Sequence, residues 1–161
     1  MQIRFKKLTP AAREPFHGTA FSAGYDLYAA SMRRIGDTII YGTGMAVEIP
    51  HGYFGGVYAR SSIYLTGLEM AGGVTVVDSD YRGEIFVLFR DLRRSVSEKN
   101  ALCKFLRETG QAKRIHMLRP YKIGDRIAQL IVQPYNELDF LLAQSLSSTA
   151  RGVGGYGSTG A

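Results

Sequence analysis

Short runs of β-branched and aromatic residues recur along this chain, each cut off by Gly, Pro or Asp. They are Ile3 to Phe5, Tyr25 to Tyr28, Thr38 to Tyr41, Ala46 to Ile49, Phe54 to Tyr58, Val74 to Val77, Ile85 to Phe89 and Ile127 to Val132. Runs this short, at fairly even spacing, predict strands joined by hairpins and so an all-β sandwich or barrel. One segment breaks the pattern. Ser95-Val-Ser-Glu98 is a capping box, and Ala101, Leu102, Phe105 and Leu106 follow at helical spacing. A short helix over about 96–109 is predicted, with Gly110 as its stop. Its apolar face would be buried against the barrel or a partner, and Lys99, Lys104 and Arg107 would face outward.

Composition narrows the picture. At 161 residues, 45% hydrophobic and 21% charged, the chain suits one globular domain with a real core. No apolar stretch is long enough to span a membrane, and residues 1–30 carry no leader-like apolar run. The expectation is a cytoplasmic protein without a membrane partner. Cys103 is the only cysteine, and the three histidines stand far apart, which excludes an intrachain disulfide and argues against a Cys- or His-held metal. Any metal would be hard and oxygen-bound, as magnesium is. The net charge of +6 favours an anionic partner. Between Arg90 and Arg119, nine Lys or Arg against three acidic residues make a local excess as large as the net charge of the whole chain.

The candidate chemistry lies in five segments. The last is Arg151-Gly-Val-Gly-Gly-Tyr-Gly-Ser-Thr-Gly160, which cannot build a core. Its glycines let backbone N–H groups approach an anion, Arg151 offers a fork for phosphate, and Tyr156 offers a face for a base. These glycines follow no βαβ pattern, so a dinucleotide fold is excluded. The other four are Ala23-Gly-Tyr-Asp-Leu-Tyr-Ala-Ala30, Ala59-Arg-Ser-Ser62, Val76-Val-Asp-Ser-Asp-Tyr-Arg-Gly-Glu84 and Gly124-Asp-Arg-Ile-Ala-Gln-Leu-Ile131. Each sets polar groups beside a strand-like run, where a rigid β-scaffold would present them to a ligand.

In this order the five segments resemble the motifs of the trimeric dUTPase family, over the whole chain. The resemblance implies a jelly-roll-like β-barrel over residues 1–142, interrupted by an insert at 91–118. It implies a flexible Gly-rich arm over 143–161 that closes a neighbouring subunit's site in a homotrimer. The implied reaction is Mg²⁺-dependent hydrolysis of dUTP to dUMP and pyrophosphate by water attack on the α-phosphorus. Such a reaction limits uracil incorporation into DNA and supplies dUMP for dTMP synthesis. By the same resemblance Asp78 is the general base, and Tyr81 packs under the deoxyribose and leaves no room for a 2′-hydroxyl. Asp26 meets the magnesium through water. Arg60, Ser61 and Ser62 bind phosphate, and Gln129 lies near the α-phosphate. Gly72, Gly73, Val76 and Val77 belong to the hairpin whose backbone reads uracil. Arg151 clamps the γ-phosphate, Tyr156 stacks on the base, and Gly157, Ser158 and Thr159 complete the phosphate contacts.

Some positions depart from the family pattern. Thr75 and Ser62 stand where many members have Gly, and Tyr156 where most have Phe. The 91–118 insert replaces a short hairpin. It is expected to be either a decoration on the barrel or a docking surface for a macromolecular partner. Two other function classes fit less well. The dCTP deaminases share the fold but need a Glu where this chain has Leu88. A non-catalytic binding module would not need Asp78, Tyr81, Gln129 and Arg151 together.

Overall fold

The computed structural model describes residues 1–94, 104–105, 108–110 and 119–155. Its strands are β1 Arg4–Lys7, β2 Phe16–His17, β3 Tyr25–Tyr28, β4 Ser31–Ile35, β5 Thr38–Gly42, β6 Met45–Glu48, β7 Tyr53–Ala59, β8 Leu68–Met70, β9 Val74–Val77, β10 Phe86–Asp91 and β11 Arg126–Pro134. Short 3₁₀ turns occupy Ser61–Leu65 and Leu92–Arg94. Every run read as a strand in the sequence is a strand here. β2, β4 and β8 were not anticipated.

All strand pairs are antiparallel. One sheet has the order β4-β5-β10-β8, a second β2-β3-β11-β7-β9, and β1 pairs with β6. Alternation builds the core between them. Along β10 burial switches at every residue, with Val87, Phe89 and Asp91 inward. Leu27, Val57, Val77 and Leu130 from the second sheet meet Ile39, Tyr41, Val87 and Phe89 from the first in one buried cluster. The fold is all-β and jelly-roll-like, as expected. β4 escaped notice because all five of its residues are exposed on an edge strand. The signal for it was Gly36-Asp37, a two-residue hairpin loop between Ile35 and Thr38, with Gly36 at φ 60°.

Lys104, Phe105 and Glu108 are helical, and the Thr109 N–H donates to the Phe105 carbonyl at 3.0 Å. Gly110 follows at φ 70°, the left-handed stop expected of it. The capping box at Ser95 to Glu98 and Ala101, Leu102 and Leu106 of the expected apolar face lie outside the described residues. Phe105, expected on the face buried against the barrel or a partner, is 53% exposed in the single chain. Among the described residues no helix is long and apolar enough to cross a membrane. The last strand ends at Pro134, and residues 134–153 are exposed throughout. Leu138, Phe140, Leu141, Leu142 and Leu146 in this stretch are each at least 71% exposed.

Candidate functional site

The second sheet turns one face to the core and the other outward, and the outer face carries most of the polar residues singled out in the sequence. Asp26 on β3 is register-paired with Gln129 on β11, and Gln129 with Tyr58 on β7. Paired residues share a face, so Asp26 and Gln129 sit side by side. Arg60 follows β7 directly and precedes the turn Ser61–Leu65.

These groups form a compact cluster around Asp26, which is 4% exposed although it lies on the outer face. Arg60 Nε donates to Asp26 Oδ1 at 3.0 Å, and Arg126 Nη1 donates to Oδ2 at 2.9 Å. The Arg126 guanidinium also lies 5.3 Å from the centroid of the Phe16 ring, a cation–π contact that fixes its position. Arg60 further reaches the Arg126 carbonyl at 3.3 Å and Ser62 Oγ at 3.5 Å. Two guanidinium groups around one carboxylate leave an excess positive charge, which suits a phosphate chain. Arg126 was not assigned a role from the sequence. The available signal was its place in the Gly124 to Ile131 segment, three residues before Gln129.

The cluster also tests whether magnesium would fit. Among the described residues no group of three or more His, Cys, Asp or Glu could hold a metal directly. Asp26 spends one acceptor position of each oxygen on an arginine, and a carboxylate has about four. The remainder can accept hydrogen bonds from an ion's water shell. Magnesium, which sheds water reluctantly and takes substrate phosphates as ligands, fits that arrangement.

Asp78 lies elsewhere on the same face. It directly follows β9, where it lines an open cleft with His51, Phe54, Val76, Ser79, Asp80 and Tyr135. The Tyr81 N–H closes a turn onto the Asp78 carbonyl at 3.2 Å, and the Tyr81 hydroxyl donates to the Glu84 carbonyl at 3.0 Å. Tyr81 bends over Gly83, where an added Cβ would press into the phenol ring. Glu84 Oε1 accepts from the Gly44 N–H at 2.7 Å, so this carboxylate anchors the loop. Leu88 stands on β10 opposite Ile40, in the other sheet.

At the other end of β9, Gly72 and Gly73 form the hairpin from β8 at φ 80° and 72°. A Cβ at either would meet nothing within 4 Å, so the glycines are required by conformation and leave the backbone open to an approaching group. Val76 is exposed on the outer face, and Val77 is buried.

Register fixes how these parts are spaced. Gln129 pairs with Tyr58, and Tyr58 with Val74 at the start of β9. Asp78 is four residues further on, roughly 13 Å along the strand and two strand spacings, about 10 Å, across. One chain therefore joins Asp26, Arg60, Ser62 and Gln129, and keeps Asp78 about 16 Å from Gln129. Arg151 is exposed, and its Nε donates to the Gly154 carbonyl at 2.8 Å, a contact within the tail itself. Tyr156, Gly157, Ser158 and Thr159 lie outside the described residues.

Comparison with known proteins gives a consistent result. The family model described as dUTPase matches residues 12–101 and 120–160. The interval between them, 102–119, overlaps most of the segment read as an insert. A deoxyuridine 5′-triphosphate nucleotidohydrolase of camelpox virus is 36% identical over 160 residues, covering 98% of this chain and 92% of its own. One from Desulfitobacterium hafniense is 36% identical over 166 residues, covering 99% and 95%. Among solved structures, Staphylococcus bacteriophage 80alpha dUTPase with dUpNHpp shares the fold at a TM-score of 0.77 and 22% identity, covering 99% of both chains. A dUTPase mutant from phage phi11 of S. aureus, whose structure describes a structural Mg(II) ion, has a TM-score of 0.68 and 19% identity, covering 90% and 98%.

Proposed function

This chain belongs to the dUTPase family and hydrolyses dUTP to dUMP and pyrophosphate, and we propose that it does so at sites shared between protomers, with Asp78 as general base. The observation that carries the proposal is the spacing on the outer face. Both Asp78 and Gln129 are assigned to the α-phosphate, yet about 16 Å separates them in one chain. A base must lie within hydrogen-bond reach of the water it activates. One chain thus supplies the Asp26, Arg60, Ser61, Ser62 and Gln129 cluster to a site, and another supplies Asp78 and Tyr81. The exposed apolar residues from Leu138 to Leu146 support assembly, since their own barrel does not cover them. A homotrimer with the 143–161 arm of a neighbour closing each site accommodates all of this.

In the step itself, Asp78 takes a proton from a water as its oxygen bonds to the α-phosphorus. The bond from that phosphorus to the bridging oxygen of the β-phosphate breaks, and pyrophosphate leaves. Phosphoryl transfer depends mainly on positioning and charge stabilisation. Arg60, Arg126 and Arg151 supply charge, while Ser61, Ser62, Gly157, Ser158, Thr159 and Gln129 supply hydrogen bonds. Magnesium, when bound, would neutralise part of the triphosphate's charge, with Asp26 holding its waters. Backbone groups from Gly72 to Val77 read the uracil edge, Tyr156 covers the base, and Tyr81 beneath the sugar excludes ribonucleotides. Cytosine is rejected because its donor pattern leaves buried groups unpaired.

The test is pyrophosphate release from dUTP, dCTP, dTTP and UTP, with and without Mg²⁺, by the parent and Asp78→Asn. The variant should lose about two to four orders of magnitude in turnover while still binding nucleotide. Near-normal turnover by the variant would remove Asp78 from its role.

A further inference from the structure

Tyr121 stands where the 91–118 segment rejoins the barrel. Its ring packs against Tyr41 and Phe89, with centroids 6.2 and 5.6 Å away, and Tyr41 donates to its carbonyl at 2.9 Å. The residue is 8% exposed. Its hydroxyl is the only buried side-chain polar atom among the described residues without a hydrogen-bond partner. Such groups are rare in native proteins and call for a reason.

The surroundings suggest one. Tyr121 lines a cleft with Ser62, Thr66, Arg119, Lys122 and Asp125. Burial pushes its phenol above the ordinary value. Ser62, the last residue of the phosphate-binding run, thus shares a cleft with Tyr121. Ser62 Oγ accepts a long 3.5 Å contact from Arg60, so its orientation is weakly fixed.

We propose that Tyr121 is a positioning residue for phosphate binding, whose hydroxyl donates to Ser62 Oγ when nucleotide is bound. A serine hydroxyl has one proton and two lone pairs. A donor held on one lone pair leaves the Ser62 proton aimed at a phosphate oxygen, and polarises it further. The free protein keeps an unsatisfied hydroxyl, and bound nucleotide satisfies it through Ser62. The proposal rests on residues 60–62 being the phosphate-binding run of a dUTP hydrolase.

The experiment uses full-length protein as parent, Tyr121→Phe, Ser62→Ala and the double variant. The melting temperature is measured without nucleotide, and kcat and KM with dUTP. Tyr121→Phe should melt at or above the parent, because it deletes an unpaired buried hydroxyl. Its kcat/KM should fall about five- to tenfold, the size of one net hydrogen bond, with the loss in KM. The double variant should be no worse than Ser62→Ala, since Tyr121 acts through that side chain. Unchanged kinetics in Tyr121→Phe, a lowered melting temperature, or losses that multiply in the double variant would each overturn the proposal. A parent inert toward dUTP would overturn the underlying activity instead, and this inference with it.

Discussion

Replacing Asp26 by Asn tests what the buried carboxylate on the outer face does. Its oxygens accept from Arg60 at 3.0 Å and Arg126 at 2.9 Å, and its side chain is 6% exposed. An amide of the same shape has one acceptor oxygen, and its NH₂ would face the second guanidinium with a donor against a donor. Breaking a buried ion pair costs about 3–5 kcal/mol. The lower end, about 3 kcal/mol, applies because the arginine side chains are themselves 24% and 41% exposed. For a chain of this size, that is a fall in Tm of roughly 6–12 °C. The assay is thermal melting without nucleotide or metal at one fixed protein concentration, since assembly makes Tm concentration-dependent. Steady-state dUTP kinetics follow on the same samples. A melting loss and a fall in kcat/KM are expected together, because Arg60 leads into Ser61 and Ser62. If Asp26→Asn melted within about 2 °C of the parent, the equivalent of at most about 1 kcal/mol at this size, the clamp would not be holding the cluster. A change confined to the Mg²⁺ requirement would then leave Asp26 only its water-mediated role.

Two further perturbations probe parts away from the chemistry. Asp91 is buried and accepts from Arg93 at 2.7 and 2.6 Å and from Arg34 at 2.6 Å. Hydrogen bonds from Arg93, reinforced by Arg34 and opposed by burial, hold its carboxyl well below the usual carboxylate range. The group's folded pKa is depressed, so its stabilisation is present above the unfolded value, about 3.9, and lost as pH falls below it. Asp91→Asn should therefore lose about 3 kcal/mol at pH 7 and show a shallower acid decline, as read by denaturant melts across pH. Replacing residues 96–114 by a short Gly/Ser turn should leave dUTP hydrolysis largely intact, since no motif residue lies there. A folded, assembled deletion variant without activity would place the insert in the active site.

Local order was readable in the sequence, and long-range order was not. Strands such as β10 announced themselves because alternate residues bury against the core. β4 did not, because Ser31, Arg33 and Arg34 leave an exposed edge strand without that alternation. β2 and β8 are too short, at two and three residues, to carry a period. Asp78 and Tyr81 were legible as a pair because one turn joins them. The partnership of Asp26 with Arg126 spans 100 residues and follows from sheet register, which no local pattern encodes. The same holds for Asp91 with Arg34. The separation of Asp78 from Gln129 is likewise a matter of register, and it raises the question of assembly.

That question has a direct measurement. Two variants are prepared, Asp78→Asn and a chain truncated before Arg151, each expected to be nearly inert alone. They are mixed under conditions where subunit exchange is followed independently by mass, and dUTP hydrolysis is then measured. If each site takes its base from one protomer and its closing arm from another, mixed assemblies regain part of the parent activity as exchange proceeds. If exchange is complete and the mixture stays as inactive as its components, base and arm serve the same site from one chain, and the shared-site account is contradicted.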